Sequence, residues 1–232
     1  MSDSADVAVL HGDALVESLT RRFRTAEIEA NVGDRVYKIL KPANPDDLIR
    51  EEDFVKDERL PYWADIWPSA IILAAKLLEI EGAGASALEL GCGAGLCTIA
   101  AKNAGFDVLA TDYYEDALDF TRANTFTNLG AEARTMLFDW RHPPLGLERF
   151  NLVLASDVLY EVEYAKLLPE ILRMTLSADG YALIADPGRV AAPLFVESCV
   201  TNRLIAEKME TRPFAAGEIR QQIDIYRVRR TE

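Results

Sequence analysis

Leu88-Glu89-Leu90-Gly91-Cys92-Gly93-Ala94-Gly95-Leu96 is a short apolar run that breaks into three alternate glycines and then enters a helix-forming stretch. Gly91 suits a tight turn, Gly93 a close approach of the backbone to a ligand, and Gly95 the packing of a helix start against the strand. A glycine-rich turn gains weight from this strand-to-helix setting. The next apolar run, Asp107 to Thr111, ends at Asp112, seventeen residues beyond Gly95. A carboxylate at such a strand tip has two acceptor oxygens for the two hydroxyls of a ribose. The competing role for Asp112 is to cap a helix that begins near Glu115.

Apolar runs and helical segments alternate outward from this turn. The runs are Ala87 to Leu90, Asp107 to Thr111, Ala133 to Leu137, Asn151 to Ala155 and Tyr181 to Ala185; the helical segments are roughly 95–104, 115–128, 163–176 and 190–200. This alternation predicts an α/β fold, a mostly parallel sheet with helices on both faces. Ser69 to Glu79 reads as an amphipathic helix leading into it. The end of the chain differs: 203–210 and 219–229 are strand-like without a helix between them, and predict an antiparallel hairpin at the sheet edge. Residues 1–25 read as helical, 25–41 as a β-hairpin centred on Asn31-Val32-Gly33-Asp34, and 42–60 as a loop or short helix. The expected organisation is an N-terminal extension over 1–60 and one ligand-binding domain over 61–232.

Bulk properties narrow the function. The 232 residues carry a net charge of −13, which disfavours phosphate backbones and makes nucleic acid a poor partner. Arg220, Arg227, Arg229 and Arg230 form the one local basic strip, read as a solvated strand face. The first ten residues carry no Lys or Arg, so a secretory signal is not expected. The apolar stretch Ser69 to Ile80 is too short to span a bilayer, so no membrane association is expected. Cys92, Cys97 and Cys199 suggest neither a disulfide framework nor, with His11 and His142, a metal site. The three fit a reducing cytoplasm, and Cys92 and Cys97 are read as packing residues.

The glycine spacing also bears on which nucleotide is bound. A dinucleotide turn reads G-x-G-x-x-G and sets a helix N-terminus against a pyrophosphate. Here the order is G-x-G-x-G, and Leu96 takes the place of the third dinucleotide glycine. With Glu89 two residues before Gly91, the turn resembles the first motif of class I S-adenosylmethionine-dependent methyltransferases. Three further segments sharpen the likeness: Pro61-Tyr62-Trp63-Ala64-Asp65-Ile66-Trp67-Pro68-Ser69, Phe138-Asp139-Trp140, and Ala155-Ser156-Asp157-Val158-Leu159-Tyr160-Glu161. Together they resemble the seven-β-strand protein lysine methyltransferases with a D-x-x-Y motif. The likeness is greatest to the branch acting on the electron-transfer flavoprotein β-subunit and its bacterial relatives, over roughly residues 55–190.

The resemblance implies a Rossmann-like class I fold with a seven-stranded sheet and S-adenosylmethionine as cofactor. It implies that Trp67 lines the methionine end, that Glu89, Gly91, Gly93 and Gly95 form the turn beneath, and that Asp112, with Tyr113 beside it, holds the ribose. Asp139 and Trp140 would meet the adenine, with Ser156 close by. Asp157 and Tyr160 would face the acceptor, a lysine side chain on a protein. Plainer roles compete: Trp63, Trp67 and Trp140 as core aromatics, Tyr160 as a half-buried residue at a helix start, Asp157 as a helix cap. His142 receives no catalytic role. Competing functions are N-methylation of a small nicotinamide-like amine, NAD-dependent oxidoreduction, and a methyltransferase-fold interaction protein without catalysis. The glycine spacing and the terminal hairpin disfavour the oxidoreductase. The intact glycines, Asp112 and Asp157 disfavour the inert protein.

Overall fold

The computed structural model describes residues 9–48 and 60–231. The N-terminal part holds α1 (Gly12–Arg22), strands β1 (Thr25–Val32) and β2 (Arg35–Pro42) paired as an antiparallel hairpin, and a short 3-10 turn at Pro45–Leu48. The helical reading of residues 1–8 and the loop reading of 49–59 lie outside the described residues. Then follow α2 (Pro68–Leu77), β3 (Ser86–Leu90), α3 (Leu96–Asn103), β4 (Asp107–Asp112), α4 (Glu115–Leu129), β5 (Arg134–Leu137) and β6 (Phe150–Ser156). The chain finishes with α5 (Val162–Thr175), β7 (Leu176–Asp186), α6 (Ala192–Thr201), β8 (Leu204–Ala216) and β9 (Ile219–Arg230).

Seven strands form one sheet in the order β5-β4-β3-β6-β7-β9-β8. Strands β3 to β7 run parallel, and β9 and β8 close the sheet antiparallel. This is the mostly parallel α/β sheet with a terminal hairpin that the alternation of runs predicts. Its two faces are written in the sequence with period two. Ala87, Leu152, Leu154, Leu183 and Ala185 face one core with α2 and α3, while Leu88, Leu90, Val153, Ala155 and Ile184 face the other with α5 and α6. Leu88 is fully buried, so truncating it to Ala would cost about 2–5 kcal/mol.

Strand order reverses between β3 and β6, and the crevice outside their carboxyl ends is where such sheets bind ligands. The glycine turn follows β3 at that point, and Asp157 follows β6.

Two features exceed the sequence reading. Strand β7 starts directly after α5, its early part separated from the regular β6 pairing by an irregularity between Phe150 and Leu152. The terminal hairpin is also longer, with strands of 13 and 12 residues. Its outer strand has no apolar alternation because it is a largely exposed edge, held by ladder hydrogen bonds and by ion pairs such as Lys208–Asp224 at 3.0 Å. Pro213 is tolerated there because edge strands need not donate on their outer side.

The N-terminal hairpin is fixed to α4 by two asparagines, Asn124 and Asn128, that carry no recognisable pattern. Asn124 on α4 accepts the Leu40 N–H at 2.8 Å and donates to the carbonyls of Leu40 at 2.8 Å and Ala94 at 2.9 Å. One buried amide thus joins β2, α4 and the glycine turn. Among the described residues, no helix is long and apolar enough to cross a membrane. Nor does any group of His, Cys, Asp and Glu side chains among them suit a metal ion. All three cysteines are buried free thiols.

Candidate active site

A cleft of about 1070 Å³, its open mouth included, lies over the carboxyl ends of β3, β4 and β6. Its floor is the turn at Gly91, which takes φ +73° as the chain leaves β3. The N–H groups of Gly91 and Cys92 both donate to the Thr111 carbonyl at 2.9 Å, so the turn is tied to the end of β4. That tie brings Asp112 beneath the turn. Its Oδ2 accepts the Gly93 N–H at 2.9 Å and its Oδ1 the Tyr114 N–H at 3.1 Å. Burial raises the Asp112 pKa, and these backbone donors oppose the rise. A carboxylate oxygen has more than one lone pair, so both oxygens can still accept hydroxyl donors from the cleft.

Glu89 lies deeper, 2% exposed, with Thr98 Oγ1 donating to its Oε2. Burial pushes its pKa up to about 8, and the charge of Asp112 adds to the shift. At neutral pH it therefore holds a proton that a bound cation would displace.

The lining includes six carboxyl groups, those of Asp65, Glu89, Asp112, Asp139, Asp157 and Glu161, and among the described residues no Lys, Arg or His. Three of the six are paired to cations just outside it: Asp65 to Lys41, Asp139 to Arg141 and Asp157 to Arg189. The lining therefore offers a pyrophosphate no cation of its own, and Asp112 and Glu161 are left without a cationic partner among the described residues.

Beside this cleft opens a second cavity of about 600 Å³, open space included, walled by Tyr62, Trp67, Asp157, Tyr160, Glu161 and Arg189. Asp157 holds a left-handed backbone, φ +58°, which Asp tolerates better than most residues. Its N–H donates to Ala185 of the neighbouring strand at 2.9 Å. The side chain is 3% exposed and engaged at both oxygens. Arg189 donates to Oδ1 from Nε at 2.7 Å and lies 2.5 Å away at Nη2, while Ser69 Oγ donates to Oδ2 at 3.1 Å.

Aromatic rings connect the two cavities. Edge-on contacts run from Trp67 to Tyr62 (6.0 Å), Tyr62 to Tyr160 (5.2 Å), Tyr160 to Tyr164 (5.1 Å) and Tyr164 to Trp140 (5.6 Å). Desolvation, with Tyr164 alongside, raises the Tyr160 pKa above the ordinary phenol range, so Tyr160 stays protonated and is no base.

The cleft brings together Trp67, Glu89, Gly91, Gly93, Asp112, Tyr113, Asp139, Trp140, Ser156, Asp157 and Tyr160. Gly95 is the exception and does not line it. A Cβ there would sit 2.8 Å from Thr121 Oγ1, so Gly95 is required by packing against α4, rather than by a ligand or by the strand. A Cβ at Gly93 would meet the Trp63 carbonyl at 3.1 Å, so that approach is also to protein backbone. Neither aspartate is a helix cap: the N-cap positions of α4 and α5 are Tyr114 and Glu161. Trp63 is both buried among Leu15, Leu19 and Phe120 and part of the cleft wall. Asp139 is clamped by Arg141, through Nε and Nη2 at 3.0 Å each, with His142 at 3.1 Å. Despite burial, these donors hold its carboxyl well below the usual range.

Arg189 escaped the sequence reading. Its only signal was position: it follows β7 as Asp157 follows β6, and adjacent parallel strands deliver their ends to one place.

The sequence profile of the lysine methyltransferase family matches residues 51–192. The chain is 34% identical over 137 residues to the electron transfer flavoprotein beta subunit lysine methyltransferase of Xenopus laevis, covering 56% of this chain and 53% of that protein. It is 32% identical over 128 residues to a histidine protein methyltransferase 1 homolog of Dictyostelium discoideum, covering 52% of this chain and 41% of that protein. The chain thus spans about half the length of these relatives. Among solved structures, the magnesium protoporphyrin IX methyltransferase of Synechocystis with bound SAM superposes with a TM-score of 0.55 at 19% identity, over 78% of this chain and 86% of that one. That likeness establishes the fold, and the profile match establishes the kinship: the chain belongs to the lysine methyltransferase family, built on the Rossmann-like fold of the class I methyltransferases.

Proposed function

We propose that this protein is an S-adenosylmethionine-dependent N-methyltransferase that modifies lysine side chains of a protein. The observation that carries the reading is Asp157, a buried carboxylate in an aromatic mouth that opens beside an acidic, ligand-sized cleft. The family of the chain, and the acceptor named for its Xenopus relative, support the same reading.

The cofactor supplies an electrophilic methyl on a sulfonium and its own leaving group. What the protein must supply is position and charge. Asp112 is suited to the ribose hydroxyls, Glu89 to the cationic methionine end, and Asp139 and Trp140 to the adenine edge and face. On the acceptor side, an ammonium has no lone pair and must lose a proton before it attacks. Asp157 and the ring faces would draw the ammonium in, and its burial among the rings of Tyr62, Trp67 and Tyr160 would desolvate it and so ease loss of the proton to water. Holding the nitrogen about 3 Å from the methyl supplies much of the remaining acceleration. A general base is not required, and the protonated Tyr160 is not one.

The test is transfer of radiolabelled methyl from S-adenosylmethionine into a host lysate, separated into protein and small-molecule fractions. Label is expected in discrete protein bands. Label confined to small amines would contradict the protein acceptor and favour a nicotinamide-like amine.

A further inference from the structure

The mouth of the site already holds a cation. Arg189 ion-pairs with Asp157, and its guanidinium lies 5.8 Å from the centre of the Trp67 ring. A carboxylate and an aromatic face are the two groups that recognise an alkylammonium. The protein's own guanidinium therefore occupies the seat suited to the acceptor's charge. Asp157 takes two Arg189 nitrogens on Oδ1 and the Ser69 hydroxyl on Oδ2, so its charge is already paired and an incoming ammonium must compete with the guanidinium for it.

The backbone of Arg189 is anchored while its side chain is not enclosed. Its N–H donates to Asp186 Oδ1 at 2.7 Å, and Gly188 donates to the same atom at 2.8 Å. The side chain is 33% exposed, so it can leave Asp157 without disturbing the loop. Glu161 lines the same cavity and offers a second carboxylate to the displaced guanidinium.

We propose that Arg189 is a specificity-determining residue: an internal stand-in for the acceptor's ammonium that must be displaced from Asp157 before an amine can bind. This rests on the reading of Asp157 as the acceptor's carboxylate. The exchange replaces one ion pair by another, so a bare amine gains little from it. A lysine whose surroundings add further contacts gains enough to displace Arg189. The device thus selects a lysine held by a docked surface over free amines of the same charge.

The experiment uses the full chain saturated with S-adenosylhomocysteine and n-butylammonium chloride as the probe, with binding followed by calorimetry. Arg189→Ala should bind the probe at least fivefold more tightly than wild type, and Asp157→Asn added to Arg189→Ala should remove that gain. Arg189→Gln, which keeps the side-chain bulk, should give the same result if the alanine variant folds poorly. Asp157-dependent binding that is equal or weaker in both Arg189 variants would overturn the stand-in role while leaving the lysine reading intact. Binding in no protein, or binding indifferent to Asp157, would overturn both.

Discussion

The carboxyl groups at the floor of the cleft and those at its mouth are buried to similar degrees but satisfied differently. At the floor, Asp112 is held by the backbone N–H groups of Gly93, Tyr113 and Tyr114, and Glu89 by Thr98, through hydroxyl and backbone, with the Cys97 thiol beside it. Among the described residues no cation neutralises either, and burial raises both pKa values. At the mouth, Asp157 is ion-paired to Arg189. The contrast follows from what each end would receive. A floor acid without a counter-ion can be satisfied by a ligand carrying its own positive charge and hydroxyls, whereas a mouth acid left bare would capture any passing cation.

This comparison can be broken by moving one group at a time. The largest expected effect is at the mouth. Asp157→Asn should lower methyl transfer by about 100-fold or more while leaving S-adenosylhomocysteine affinity within about twofold, since the loss falls on the acceptor. An equal loss in both quantities would place Asp157 with the floor group. Next, Asp112→Ala should weaken S-adenosylhomocysteine binding by about 10- to 100-fold, on the scale of about 1–3 kcal/mol for losing a charged hydrogen-bond partner. Unchanged affinity in the folded variant would leave Asp112 a structural role, through its bonds to the backbone of Gly93, Tyr113 and Tyr114.

Glu89 sharpens the contrast through pH. Its pKa is about 8 in the folded protein against an ordinary 4.5, so the folded state retains a proton that the unfolded state loses. The stability this contributes is complete below pH 4.5 and is lost as pH rises through 8. Glu89→Gln, which cannot ionise, should therefore gain in Tm relative to wild type as pH rises from about 5 to about 9. A difference independent of pH would mean that Glu89 is ionised throughout. In wild type at neutral pH, cofactor binding should release close to one proton, visible by calorimetry in buffers of different ionisation enthalpy; Glu89→Gln should release none. The smallest effect is expected at Tyr160, whose ring packs between Tyr62 and Tyr164. Tyr160→Phe keeps those contacts and should cost only about two- to fivefold in transfer.

The two ends also differ in how far the sequence disclosed them. The floor is local: Glu89, Gly91, Gly93 and Asp112 sit on one strand-turn-helix-strand unit whose spacing is visible in the chain. The mouth is assembled from Tyr62, Ser69, Asp157 and Arg189, drawn from segments far apart in the chain. Asp157 and Tyr160 were legible through a resemblance, but the pairing that governs Asp157 was not, because it depends on β6 and β7 being neighbours. The same applies to Asn124, whose three hydrogen bonds need β2 against α4. Gly95 illustrates the converse: a motif residue whose neighbour, Thr121, only the folded structure reveals.

The lysine assignment can be tested most directly by identifying the methylated amino acid. Host proteins labelled by the wild-type enzyme would be hydrolysed in acid and their methylated amino acids separated by mass. The account predicts ε-N-methylated lysine, absent when Asp157→Asn replaces the wild type. Methylhistidine or methylarginine as the main product would contradict it.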